Sequence, residues 1–319
     1  MSIISKPIKF SGTGLQSGKP VNVVIKSSKK PGIWFKRTDL KGRDLIPAKW
    51  DNIHDFSSWD TKIGVPPNCV RTIEHLMAAL FICGIDSAII EIDSIEVPIL
   101  DGSAKQFIEI LQENTKQAKS KIKKIIVKKE VIAYRQELIK KMPLRKRIML
   151  WFYNLKTGRK ENGFVRLSPV PAYAGMTKKR GFVMDITLDY PDKIIGIQKS
   201  EFIFDGSEKS RQKFIKDFSK SRSFGRIWEW EYLKKRGMGL GANEHNILAI
   251  NEKGDGTLNK LYYPDEFVRH KLIDALGDFY TSGGMIVGKL ESHKGSHGLN
   301  NLVLRKLFAD PSNYKIEEE

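Results

Sequence analysis

The stretch Phe267 to Asp278, FVRHKLIDALGD, reads as one helix and constrains the chain more than any other. His270, Asp274 and Asp278 fall at i, i+4 and i+8, so they share a face. Leu272, Ile273, Leu276 and Phe279 supply an apolar stripe beside it. An imidazole nitrogen and a carboxylate oxygen one turn apart suit a divalent ion such as zinc. The same spacing is also common in plain ion pairs. Two ligands are too few, so a metal on this helix needs a third ligand from elsewhere in the chain.

The 319 residues allow two domains or one large one, each with its own core. No apolar run reaches about 18 residues, so no membrane span is expected. Met1 to Phe10 has no apolar stretch of signal-peptide length. Cys69 and Cys83 fit no metal or redox spacing. These features lead to the expectation of a cytoplasmic protein. The net charge is +18, with basic residues dispersed but denser at 119–129, 140–147 and 209–220. Such an excess fits solvated faces, an anionic substrate or membrane surface, or a nucleic-acid partner. Aromatic and basic residues do not interleave as in RNA-binding surfaces, so nucleic acid is the least favoured.

Strands are expected at Ile8–Thr13, Val21–Lys26 and Gly32–Arg37, with a glycine-rich turn from Gly14 to Gly18. Residues 38–66 read as irregular. Thr72 to Phe81 reads as a helix with Thr72 as N-cap. Ala88–Ile92 reads as a strand, Ile95–Ala104 as a strand running into a turn, and Phe107–Gln112 as a short helix. The lysine-rich segment 115–124 marks a boundary, giving an N-terminal domain over 1–120 and a C-terminal domain over 121–319. The second half restarts with a strand over Lys124–Val131. Residues 135–180 look like inserted surface material that loops out of the fold. Phe182–Tyr190 is a strand, Lys209–Phe218 and Ile227–Arg236 are helices, and glycines at 237, 239 and 241 end the last of these. Ile247–Ile250 and Met285–Leu290 are strands, and His297 begins the final helix, which runs to about Leu307. Both halves place strands first and helices later. This implies an α+β fold of two similar sheet-and-helix layers rather than an alternating parallel sheet.

His75 is the best candidate for the third ligand, although a histidine on an apolar helix is more often a core residue. With His270 and Asp274 it would leave one coordination position open, as in catalytic rather than structural zinc sites. Glu74, adjacent in sequence, could then serve as general base. His297 is either an acid–base group or a surface histidine in a Gly/Ser-rich loop.

Six stretches in order resemble one family, the zinc-dependent UDP-3-O-acyl-N-acetylglucosamine deacetylases of lipid A biosynthesis. They are GTGLQSG at Gly12–Gly18, TIEHLMAAL at Thr72–Leu80, EVPILDGSA at Glu96–Ala104, SRSFG at Ser221–Gly225, Phe267–Asp278 and KGSHGLNN at Lys294–Asn301. The resemblance implies two similar domains with the active site between them. It implies Zn2+ on His75, His270 and Asp274, with Glu74 as general base. It implies that His297 acts as general acid or as a positive stabiliser of the tetrahedral intermediate, with Asp278 orienting and charging it. Ser223 stands where the family places Thr; its hydroxyl can still donate to a developing oxyanion. Phe224 and Lys271 match residues that contact the sugar and diphosphate. Ile227 and Trp230, with Met238 and Leu240, fall in an element that forms a passage for the acyl chain. The implied partner is an acylated UDP-N-acetylglucosamine, with peripheral contact to the inner membrane surface, and the chain is expected to be a monomer that binds no nucleic acid.

Gln16 stands where the family usually has His, His245 replaces an Asp and Ala242 a Gly. None of these changes touches the implied ligands or Glu74. Two other readings remain: a hydrolase of the same fold acting on another N-acyl substrate, and a basic nucleic-acid-binding protein resting only on the charge.

Overall fold

Alternation of buried and exposed residues builds the first sheet. Val21, Val23 and Ile25 on one strand, and Ala88, Ile90 and Ile92 on another, turn inward, as a half-buried sheet requires. Its strand order is Ile8–Thr13, Pro20–Ser27, Ser87–Ile92, Gly32–Arg37 and Ile46–Pro47. Gly32–Arg37 and Ser87–Ile92 run parallel and the other pairs are antiparallel. The structure, a computed structural model, describes residues 2–55, 59–117, 122–158, 161–170 and 181–318.

Eight α-helices occur among the described residues: α1 (Glu74–Ile82), α2 (Lys105–Gln112), α3 (Arg135–Lys141), α4 (Leu144–Thr157), α5 (Glu208–Asp217), α6 (Ile227–Lys234), α7 (Glu266–Tyr280) and α8 (His297–Phe308). The second sheet centres on Met285–His293. That strand pairs parallel with Lys123–Val127 and Phe182–Asp189, and antiparallel with Phe164–Ser168. Val131–Tyr134, Ile197–Phe204 and the C-terminal Tyr314–Glu318 extend it. Each sheet thus receives several strands, then a long buried helix, then a further strand and a second helix. The α+β architecture expected from the sequence is the one observed.

α1 and α7 are the paired helices at the centre, packed along each other. All nine residues of α1 are buried, because α7 covers the side that its own sheet leaves open. The approach is close enough that a Cβ on Gly277 would stand 1.9 Å from the Glu74 carbonyl oxygen. No other residue type fits there without moving a helix.

Several expectations need correction. Thr72 is not a cap: its φ is 58°, its hydroxyl donates to Asp60 and Glu96, and α1 begins at Glu74 with no side-chain cap. Ile95–Ala104 forms no strand, and its Glu96 and Pro98 hold isolated bridges to Arg71 and Gly14. Lys124–Val131 divides into Lys123–Val127 and Val131–Tyr134. Within the supposed insertion, Phe164–Ser168 lies inside the second sheet, between Val131–Tyr134 and Met285–His293. α3 packs on α8 through the fully buried Leu138, α4 lies on the surface with no buried residue, and 159–160 and 171–180 lie outside the described residues.

Candidate metal and acid–base site

The polar stripe of α7 faces the start of α1. His75, His270 and Asp274 are all buried there, and one ligand atom from each lies within 4.8 Å of the others. Both His75 Nε2 and His270 Nε2 stand 3.3 Å from Asp274 Oδ1. The tautomer of His270 is fixed by its surroundings. Its Nδ1 lies 3.1 Å from the Ser221 carbonyl, which can only accept, so Nδ1 carries the proton. Burial holds the ring's pKa down to about 3, so the ring is neutral and Nε2 is a bare lone pair. That lone pair faces the lone pairs of Asp274 Oδ1, a buried atom with no hydrogen-bond partner. Two imidazole nitrogens 3.3 Å from one buried carboxylate oxygen fit a cation, which would satisfy all three.

Asp274 Oδ2 is engaged separately by Lys271 Nζ at 2.8 Å. Burial opposes ionisation of Asp274, but His270 and Lys271 outweigh it and hold the carboxyl well below the usual range. Lys271 therefore reaches back to Asp274, with its ammonium 5.5 Å from the centre of the Phe224 ring.

Glu74 and His297 flank this group. Burial pushes the Glu74 carboxyl up to about 7, the range useful to a general base at neutral pH. Its Oε2 accepts from the Thr61 amide at 3.0 Å. Burial disfavours a charged His297, but Asp278, with Nδ1 2.9 Å from its Oδ2, overrides this and raises the ring to about 10. Asp278 is held in turn by the Thr61 hydroxyl and by Asn300 Nδ2, the latter at 2.8 Å.

These groups open into a cleft that is continuous with solvent. Ser223 Oγ lies in it, 3.4 Å from His270 Nε2. The Ser223 segment is anchored on both sides. Its amide donates to the Gly102 carbonyl at 2.8 Å. Arg222 pairs with Glu266 at 3.0 Å, both buried, at the start of α7. Phe224 packs edge-on against Phe267 with centroids 5.1 Å apart. Trp230 and Leu233 of α6, with Ile247 and Ala249, form an apolar wall. Trp230 Nε1 donates to the Gly239 carbonyl at 3.0 Å, and Gly239 N donates to Gln16 Oε1 at 3.1 Å. The first glycine-rich turn and the 237–241 glycines thus close one end together. A Cβ on Gly241 would stand 2.2 Å from the Gly14 carbonyl oxygen.

Of the residues singled out in the sequence, His75, His270, Asp274, Glu74, His297, Ser223, Phe224, Lys271 and Trp230 all line this cleft. Asp278 stands behind His297. Ile227 and Met238 are not among the lining residues, and Leu240 is exposed. Sequence reasoning missed Thr61, which touches Glu74, Asp278 and His297 at once. It lies in a segment without periodicity, so nothing local marks it. It also gave no role to Glu96, a fully buried carboxylate that accepts from the Gln16 and Ser17 amides at 2.8 and 3.0 Å.

No helix among the described residues is long and apolar enough to cross a membrane. The sequence matches the family model described as UDP-3-O-acyl N-acetylglycosamine deacetylase over residues 2–309. A UDP-3-O-acyl-N-acetylglucosamine deacetylase of Shewanella frigidimarina is 32% identical over 314 residues, covering 98% of this chain and 91% of that protein. The protein of that name in Syntrophotalea carbinolica is 32% identical over 318 residues, covering 99% and 90%. The chain belongs to the UDP-3-O-acyl N-acetylglycosamine deacetylase family.

Proposed function

We propose that this protein is a cytoplasmic deacetylase that hydrolyses the N-acetyl group of UDP-3-O-acyl-N-acetylglucosamine, releasing acetate, in lipid A biosynthesis. The observation that carries this reading is the orphaned Asp274 Oδ1, faced by two imidazole nitrogens at 3.3 Å in the same cleft as Glu74 and His297. His75, His270 and Asp274 would hold zinc. When bound, the ion would supply a Lewis acid for the acetamide carbonyl and would acidify water.

The chain's own groups divide the remaining work. Glu74 takes a proton from the attacking water, as its raised pKa suits. The Ser223 hydroxyl donates to the developing oxyanion. His297, kept cationic by Asp278, offsets the negative charge that builds beside it. Glu74 or His297 returns a proton to the departing amine. Phe224 and Lys271 meet the sugar and diphosphate, and the wall containing Trp230 takes the acyl chain. The net charge of +18 suits an anionic nucleotide sugar.

Metal analysis of purified protein and of His75→Ala tests this. The native chain should carry one zinc per molecule and release acetate from the acylated UDP-sugar. The variant should lose both. Native protein that is zinc-free and fully active would overturn the ligand assignment. Faster turnover of short N-acetyl sugars than of the acylated UDP-sugar would move the substrate to another N-acyl compound.

A further inference from the structure

α4 is amphipathic in the wrong direction for a helix of a globular domain. Leu144, Ile148, Trp151 and Leu155 follow i, i+4, i+7 and i+11 and so form one stripe. They are 68%, 48%, 58% and 63% exposed, and Phe152 beside them is 60% exposed. No residue of α4 is buried. The opposite face is the one that is pinned. The Tyr153 hydroxyl donates to Glu229 Oε1 at 2.5 Å and accepts from Arg226 Nη1 at 2.8 Å. The Lys156 ammonium sits 3.8 Å from the centre of the Trp228 ring. α4 is therefore fastened to α6 and to the short strand Phe224–Arg226 before it, and Arg226, Glu229 and Trp230 of these elements line the cleft.

The charge around the stripe has one sign. From Leu138 to Lys160 the sequence contains no Asp or Glu. Arg145 and Arg147 stand on either flank of the apolar stripe by helical geometry, and Lys140, Lys141 and Lys146 lie at its N-terminal end. An exposed apolar stripe rimmed by basic side chains is the pattern of a helix lying in a membrane interface. A second copy of the chain is a poorer match. Fourteen residues give a helix of about 21 Å. A stripe of that length and roughly 10 Å width offers about 200 Å², against roughly 800 Å² per partner in stable complexes.

We infer that α4 docks this protein on an anionic phospholipid bilayer, with Trp151, Phe152 and Leu155 in the interface and Arg145 and Arg147 on the headgroups. The docked helix sets α6 and the mouth of the cleft beside the lipid. The docking stands on α4 alone. Its use, receiving a substrate whose acyl chain favours the bilayer, rests on the function proposed above.

Flotation of the full chain with vesicles tests the docking without reading catalysis. The protein should float with phosphatidylglycerol/phosphatidylcholine vesicles and not with phosphatidylcholine alone, and added salt should weaken it. Each basic residue at an anionic surface contributes about fivefold to partition, so Arg145→Gln/Arg147→Gln should bind roughly 30-fold more weakly. Trp151→Ser/Leu155→Ser should lower partition by at least about tenfold. Both variants should keep the wild-type melting temperature and the wild-type turnover of a short-acyl substrate supplied without lipid. The inference is overturned if the native chain ignores anionic vesicles, or if either variant floats as well as wild type. It is also overturned if the native chain doubles its mass in solution and the apolar variant does not. A chain that floats through α4 but releases no acetate would refute the proposed function and leave the docking intact.

Discussion

Replacing Gly277 by alanine sets two effects of opposite sign against each other. In an ordinary helix interior the change stabilises by about 0.5–1 kcal/mol, because glycine loses more backbone entropy on folding. Here the new methyl would stand 1.9 Å from the Glu74 carbonyl oxygen, 2.7 Å from its carbonyl carbon and 3.1 Å from its Cα. Real Cβ contacts essentially never fall below 3.0 Å, so α1 and α7 must part by about 1 Å. The obstacle is backbone in the first turn of α1 and cannot rotate aside. Overpacking of this kind costs about 1–3 kcal/mol, occasionally more, and exceeds the propensity gain. The net loss is then up to about 2.5 kcal/mol, and at roughly 2–3 °C per kcal/mol for a chain of this size the melting temperature should fall by up to about 8 °C.

The catalytic consequence is larger than the thermal one. The displaced residue is Glu74 itself, with His75 next to it. A displacement of about 1 Å in a reacting group can cost about 100-fold. Gly277→Ala should therefore lower kcat/KM by that order and weaken zinc retention, while circular dichroism still reports a folded protein. Differential scanning calorimetry, zinc analysis and acetate release measure the three outcomes. A melting temperature above wild type, with kcat/KM within about twofold, would falsify the claim that the α1–α7 contact sets the site.

Glu74→Gln keeps the Thr61 contact and the shape but removes the base, so acetate release should fall by about 100- to 10,000-fold with zinc content unchanged; loss of zinc instead would show a positioning role. Arg222→Met should destabilise by about 3–5 kcal/mol, because Glu266 is fully buried and would keep its charge without its partner; a melting temperature near wild type would refute this. Cys83, whose thiol burial pushes up to about 12, should react with a disulfide reagent at pH 8 roughly 1,000-fold more slowly than an ordinary cysteine, while the urea-unfolded chain titrates two thiols at once.

What the sequence made legible was what local periodicity encodes. α7 could be read because its polar and apolar stripes are both regular, and α1 because it is a continuous apolar run. The strand Ile197–Phe204 could not. Its inward positions begin with Gln198 and Ser200 before Phe202 and Phe204, so the alternation of hydrophobicity covers only half its length. Gln198 is polar for a tertiary reason: its Oε1 accepts from the Val268 amide at 3.3 Å, near the start of α7. Thr72 looked like a cap because threonine before a helix usually is one. It was drawn into the Asp60 and Glu96 pair instead, and a positive φ put its hydroxyl out of reach of the helix. Thr61 joins groups up to 236 positions away, a relation no window along the chain contains.

The polar stripe of α7 explains why the two layers meet where they do. His270, Asp274, Gly277 and Thr281 recur at spacings of three and four, so they lie on one face. That face is turned to α1, not to solvent. A buried helix–helix contact would ordinarily be apolar, and Leu272, Ile273, Leu276 and Phe279 show that α7 has such residues on its other sides. The side facing α1 instead carries two carboxylates when Asp278 is included, one imidazole and a glycine. Each polar member meets a group from another part of the chain: Asp274 stands beside His75, His270 donates to the Ser221 carbonyl, and Asp278 holds His297, Thr61 and Asn300. At Gly277 backbone rather than side chain meets α1. Its missing Cβ brings the Glu74–His75 turn within reach of Asp274. Polar burial on this face is thus not a defect in the core. It is the condition for His75, from a distant part of the chain, to meet His270 and Asp274.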